Sequence, residues 1–95
     1  MSAYVIAEIE VTDPAAYEEY RKQVLAVVQK YQGKFIVRGG RVDSREGGWK
    51  PSRIVVVEFP SLAQAQKFYD SADYAPLIKL RQKASKGKLI IVEGA

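Results

Sequence analysis

The apolar and polar residues at the start of the chain alternate as in a strand with one face in a core. From Tyr4 to Val11, the residues Val5, Ala7, Ile9 and Val11 fall on one wholly apolar side. Tyr4, Ile6, Glu8 and Glu10 fall on the other, mixed side. The period then changes. Tyr17, Tyr20, Val24, Val27, Val28 and Tyr31 recur at three- and four-residue spacing, which predicts an amphipathic helix. Asp13 is placed to cap it, Pro14 suits its first turn, and Gly33 is the expected stop. Lys34 to Arg38 reads as a second strand, interrupted at Gly39-Gly40 by a β-bulge and continued by Arg41 to Arg45. Gly47 to Ser52 is rich in turn formers, so a long hairpin should lead into the third strand.

That third strand carries the strongest signal. Ile54-Val55-Val56-Val57-Glu58-Phe59 is a valine-rich run that ends at Pro60. Ser61-Leu62-Ala63-Gln64 then has the pattern of a capping box, with a helix to about Ser71 whose buried stripe is Leu62, Ala65, Phe68 and Tyr69. Asp73-Tyr74-Ala75-Pro76 opens another helical segment, containing Leu77, Ile78 and Leu80 and ending at Gly87. Leu89 to Glu93 is the last strand. The order β-α-β-β-α-β predicts an α+β, ferredoxin-like fold: a four-stranded antiparallel sheet in the order 4-1-3-2 with helices on one face. Residues 1–95 are expected to form a single domain, since the chain has room for one core only.

The helices leave the other sheet face bare. Tyr4, Ile6, Ile54 and Val56 lie there, and an apolar patch of this kind predicts a partner. A second copy packed sheet to sheet, giving a dimeric α/β barrel, is the simplest one.

Composition narrows the chemistry. There is no cysteine and no histidine, which excludes disulfides, thiolate nucleophiles, His-based triads and almost every transition-metal site. Acid–base work falls to Asp, Glu, Tyr or Lys, and no cofactor is expected. The net charge of +4 allows an anionic partner without requiring one. No signal peptide and no apolar run of membrane-spanning length is visible, so the expected location is the cytoplasm, with no membrane partner.

Several residues are candidates for a site. Glu8 and Glu58 sit on the mixed sides of strands one and three, read here as parallel neighbours. Two close carboxylates would push one pKa upward and supply a proton carrier. Alternatively, Arg38 or Arg41 neutralises them, or both lie at the wet end of the barrel. Arg38-Gly39-Gly40-Arg41 could hold a carboxylate or phosphate, or Gly-Gly could simply be the bulge. The tyrosines at helical spacing read best as core, although aromatics could also line a pocket between helices and sheet for a small apolar molecule. Trp49 differs, because a tryptophan between glycine and proline in a loop usually docks on something. Lys79, Arg81, Lys83, Lys86 and Lys88 read most simply as a solvated basic face. Ile54, Val56 and Glu58 lack the stacking aromatics that RNA-recognition modules place on the third strand, so no nucleic-acid partner is expected.

Taken in order, Arg38-Gly39-Gly40, Trp49-Lys50-Pro51-Ser52-Arg53, Val57-Glu58-Phe59-Pro60-Ser61, Phe68-Tyr69, Asp73-Tyr74 and Arg81 resemble the domain-of-unknown-function family 1330. The resemblance covers essentially the whole chain. It implies a dimeric α/β barrel grouped with small monooxygenases of the antibiotic-biosynthesis type and muconolactone isomerases, several of which use no cofactor. It also points to Arg38, Arg53, Glu58, Tyr74 and Arg81 as the matching polar residues. The histidines that serve some of those enzymes have no counterpart here. The expected function is that of a small homodimer binding an anionic or aromatic metabolite, as a binding protein or as a cofactor-independent isomerase or monooxygenase. In the enzymatic case Glu58 or Glu8 would carry the proton and Arg38 would hold an anionic group. The competing expectation is a structural or interaction module without chemistry.

Overall fold

The computed structural model describes residues 1–95. Its elements are β1 (Ala3–Val11), α1 (Pro14–Lys30), β2 (Lys34–Arg38), β3 (Ile54–Phe59), α2 (Leu62–Tyr69), α3 (Ala75–Ala84) and β4 (Ser85–Glu93). The four strands make one antiparallel sheet in the order β2-β3-β1-β4, with three helices. This is the ferredoxin-like α+β arrangement that the sequence predicts. No helix is long and apolar enough to cross a membrane.

The core lies between the sheet and the helices. Val5, Ala7 and Ile9 of β1, with Val57 and Phe59 of β3, meet Tyr17, Tyr20, Val24 and Val28 of α1, Ala65 and Phe68 of α2, and Leu77 and Ala84 of α3. The caps form where the sequence places them. The Ala16 amide donates to the Asp13 carboxylate, and the Gln64 amide donates to the Ser61 hydroxyl. Only half of the capping box is made, because the Gln64 side chain donates instead to the Tyr31 carbonyl. That bond ties the start of α2 to the end of α1, where the last carbonyls have no donor within their own helix.

Three sequence expectations need correction. α1 ends at Lys30, ahead of the expected stop at Gly33, and the left-handed residue after it is Gln32, at φ 68°. Gly33 is required for a different reason: a Cβ there would sit 2.7 Å from the Phe59 ring and 2.8 Å from Val28. Gly87 does not end a helix. It lies inside β4, which begins directly at the end of α3, and a Cβ at Gly87 would come within 2.0 Å of the Glu8 carbonyl oxygen. The small residue therefore serves close approach of two strands rather than chain reversal.

The third correction positions the site. The β2 bulge is not at Gly39-Gly40, and Arg41 to Arg45 do not continue the strand. The register runs Phe35 opposite Val57, then Val37 opposite Val56 and Arg38 opposite Val55, so Ile36 is the extra residue. One inserted residue inverts the alternation of side chains along a strand. Val37 consequently joins the outer face with Val56. Arg38 joins the helix-facing side with Phe35, and its guanidinium carbon lies 4.4 Å from the centre of the Phe35 ring.

The outer face carries the apolar patch that the sequence predicts, among the polar residues Tyr4, Glu8 and Glu58. Ile6, Ile54 and Val56 are half-buried there, while Val37, Ile90 and Val92 are exposed.

Candidate functional site: an arginine- and tyrosine-lined cavity

The space between α1, α2, α3 and the sheet does not close completely. A cavity of about 40 Å³, counted as room for the centres of water molecules, remains among the core residues. That is space for a few waters. Its walls are mostly apolar, built from Val5, Ala7, Ile9, Val24, Val57 and Phe68. Into these walls project Arg38, Arg53, Arg81, Tyr20 and Tyr74, with Tyr17 beside them. No carboxylate lines the cavity.

The polar groups form a row. The Arg53 guanidinium carbon lies 5.8 Å from the centre of the Tyr17 ring. The Tyr17 and Tyr20 ring centres are 5.5 Å apart, as expected for residues one helical turn apart on α1. The Tyr20 and Tyr74 hydroxyls hydrogen-bond at 2.8 Å, and Nη1 of Arg81 donates to the Tyr74 hydroxyl at 3.0 Å. Arg81 is buried, with only 8% of its surface exposed. It follows Leu77 by four residues and precedes Ala84 by three, so all three occupy one stripe of α3. Arg38, Arg53 and Arg81 form no ion pair; the ion pairs of the molecule are Glu18–Arg21, Glu19–Lys22, Asp73–Lys30 and Asp43–Arg45. The Nε of Arg53 is the one buried side-chain polar atom without a hydrogen-bond partner.

Burial pushes the Tyr20 hydroxyl far above its ordinary value, with the neighbouring Tyr74 adding to the rise. Burial raises Tyr74 too, against the opposing charge of Arg81. Both groups thus keep their protons in the folded state at pH values where the unfolded chain ionises. Unfolding then releases protons, so stability is complete below about pH 10 and declines as pH rises beyond it. Urea midpoints measured between pH 8 and pH 11.5 should fall above pH 10. They should fall less steeply in Tyr20→Phe, and equal slopes in the two proteins would contradict the assignment.

The sequence-derived candidates separate into three groups. Arg38, Arg53, Tyr74 and Arg81 come together around the cavity. Gly39 supports them: its φ is 74°, and a Cβ there would lie 2.1 Å from Nη1 of Arg53. Gly40 faces open space. Trp49 lies elsewhere, 60% exposed beside Ile6, Ile54 and Ile90 on the outer side of the sheet.

Glu8 and Glu58 form no carboxylate pair. β1 and β3 run antiparallel, not parallel, and the register places Glu58 opposite Tyr4 and Glu8 opposite Ile54. Four residues of strand separate the two, on the order of 13 Å. Both are on the outer face. Glu58 accepts a hydrogen bond from the Tyr4 hydroxyl at 3.3 Å, and Glu8 lies opposite Lys88. No group of three or more metal-ligating carboxylates gathers anywhere.

Tyr17 and Tyr20 read in the sequence as core. They are buried, but they are also the middle of the polar row. The solvated-face reading of residues 79–88 fails at Arg81 alone among its basic residues, and the spacing from Leu77 is the signal that marks it.

A four-stranded antiparallel sheet with three helices and a cationic, tyrosine-lined cavity between them defines a small ferredoxin-like α+β protein. Over residues 2–95 the chain matches the model of the domain of unknown function DUF1330, and it belongs to that family. Among solved structures, it is similar to the RPA0582 protein of unknown function from Rhodopseudomonas palustris. The identity is 17%, the TM-score 0.75, and the match covers 99% of this chain and 82% of that one. It is also similar to SnoaB, a cofactor-independent oxygenase from Streptomyces nogalater, at 13% identity and TM-score 0.71, covering 99% and 93%. A dimeric protein of unknown function with a ferredoxin-like fold from Bacteroides fragilis matches at 10% identity and TM-score 0.65, covering 98% and 96%. At these identities the likeness is one of fold. No curated protein matches in sequence.

Proposed function

We propose that the protein binds a small anionic aromatic metabolite in the cavity between helices and sheet. The observation that carries this reading is charge without compensation: of the four arginines that line an apolar space no carboxylate enters, only Arg21 has an ion pair, with Glu18, and Arg38, Arg53 and Arg81 have none. An uncompensated guanidinium in a nonpolar setting is costly and attracts an oxyanion, while the flat apolar walls favour a ring. The cavity volume limits that ring to about one. The enzymatic form of this reading is a cofactor-independent isomerase or monooxygenase. The likeness to SnoaB supports it at the level of fold alone. Any proton transfer inside the cavity would fall to the tyrosine hydroxyls, since Glu8 and Glu58 lie outside it.

A second copy of the chain completes the reading. Val37, Ile90 and Val92 expose 39%, 58% and 42% of their surfaces on one sheet face, which is the patch a sheet-to-sheet homodimer would cover. In that arrangement Glu58 and Tyr4 belong to the interface and not to the cavity.

The test is a melting experiment with benzoate and related one-ring carboxylates. Binding to the native state should raise the melting temperature by mass action, with about 2.7 kcal/mol gained at a hundredfold excess over Kd. Arg53→Gln should abolish the rise and Glu58→Gln should leave it intact. No rise at millimolar concentrations with any of these anions overturns the reading. Sedimentation velocity at micromolar concentration checks the partner: a dimer is expected, and a monomer rules it out.

A further inference from the structure

The cavity's hydrogen-bond inventory defines its ligand more narrowly than charge does. Two fully enclosed donors in it are unspent. The first is the Nε–H of Arg53, buried without a partner. The second follows from counting protons in the tyrosine pair. Tyr20 and Tyr74 own two hydroxyl protons, and one of them makes the bond between the rings. Arg81 contributes its own proton when it donates to Tyr74, so it consumes neither. Whichever hydroxyl donates to the other, one O–H remains free. These two donors sit at different places in the polar row, separated by the Tyr17 ring, and both groups line the same cavity. A buried donor left unmet costs about 1–3 kcal/mol, so a ligand gains most by answering both.

We infer that the ligand carries two oxygen functions on one flat body: a carboxylate at Arg53, and a hydroxyl or carbonyl oxygen at the Tyr20–Tyr74 pair. This rests on the proposed binding of an anionic aromatic in the same cavity. Arg53 meets the carboxylate side-on through its Nε–H edge, with Arg38 at the rim adding charge. The second oxygen accepts the free tyrosine O–H, whose pair is held in place by Arg81. The class is that of one-ring hydroxy- or oxo-carboxylates.

Titration calorimetry with benzoate, phenol and the three hydroxybenzoates tests the inference. One positional isomer of hydroxybenzoate should bind at least tenfold more tightly than benzoate, and that isomer reports the separation of the two donors. Tyr20→Phe/Tyr74→Phe should bring that isomer to within about twofold of benzoate. Arg53→Lys keeps the charge but loses the Nε–H edge, and should weaken benzoate at least tenfold while leaving phenol unchanged. If benzoate and every hydroxybenzoate bind within twofold of one another to the unsubstituted protein, the two-oxygen inference is wrong and the anion-binding reading stands. If none of the carboxylates binds at millimolar concentration, the underlying reading fails as well. Because the comparison among probes uses the unsubstituted protein, its outcome does not depend on any variant folding.

Discussion

Phe59→Ala should lower the free energy of unfolding by about 3–5 kcal/mol, the usual cost of deleting a buried phenylalanine ring. A domain of this length has a total of roughly 5–14 kcal/mol at about 0.05–0.15 kcal/mol per residue. The substitution therefore removes a large fraction of the stability. Phe59 has no exposed surface. Its ring lies 5.0 Å from that of Phe68, and Phe68 lies 4.4 Å from Tyr74. The rings run continuously from the end of β3 to the cavity wall, so the loss should reach the site. Gly33 presses against the same ring and cannot fill the hole without a side chain of its own. Urea denaturation measures the effect. A loss below about 1.5 kcal/mol would mean that the surrounding rings collapse into the space and that this core is not close-packed.

Arg81→Met should act in the opposite direction on stability while weakening the proposed ligand binding. Arg81 is buried, pairs with no carboxylate and makes one hydrogen bond, to a hydroxyl that retains a second partner in Tyr20. Replacing such a cation by an unbranched apolar side chain of similar length should be neutral or stabilising, by about 1–2 kcal/mol, since desolvation is relieved and packing is kept. For a domain of this size each kcal/mol moves the melting temperature by about 4–8 °C. Arg81→Ala should destabilise instead, because it removes the packed stem along with the charge. In both variants the affinity for one-ring carboxylates should drop at least tenfold. If Met destabilises as much as Ala, the guanidinium holds the fold together and is not a feature kept for a ligand.

The sequence makes the sheet order and the helix caps legible because each depends on local patterns. Alternation in β1, the valine run of β3, and the caps at Asp13 and Ser61 involve residues a few positions apart, and all form as read. The errors lie where distant segments decide. Gly87 looks like a helix stop until the Glu8 carbonyl is seen beside it. The β2 bulge falls at Ile36, without any glycine, because pairing with Val55 and Val56 sets the register. Glu8 and Glu58 look like a pair only if their strands run the same way, and the antiparallel register takes them apart. Arg38, Arg53, Tyr74 and Arg81 do converge, yet their spacing in the chain ranges from seven residues upward, and no short motif joins them. What composition does convey is the shortage of alternatives: without histidine or cysteine, acid–base chemistry is left to Asp, Glu, Tyr and Lys, and of these only tyrosine lines the cavity.

The extra residue in β2 behaves like a frameshift. Up to Phe35 the strand is read in one frame; after Ile36 it is read in the other, and only there does Arg38 turn toward the cavity rather than away from it. Pairing these same residues without the bulge, Ile36 opposite Val56 and Val37 opposite Val55, would send Arg38 to the outer face and bring Val37 to the rim in its place. The cationic character of the rim is thus encoded by the parity of a count, not by residue identity alone. A β2 pairing in strict alternation over these same residues would exchange a charged rim for an aliphatic one while every core residue stays the same.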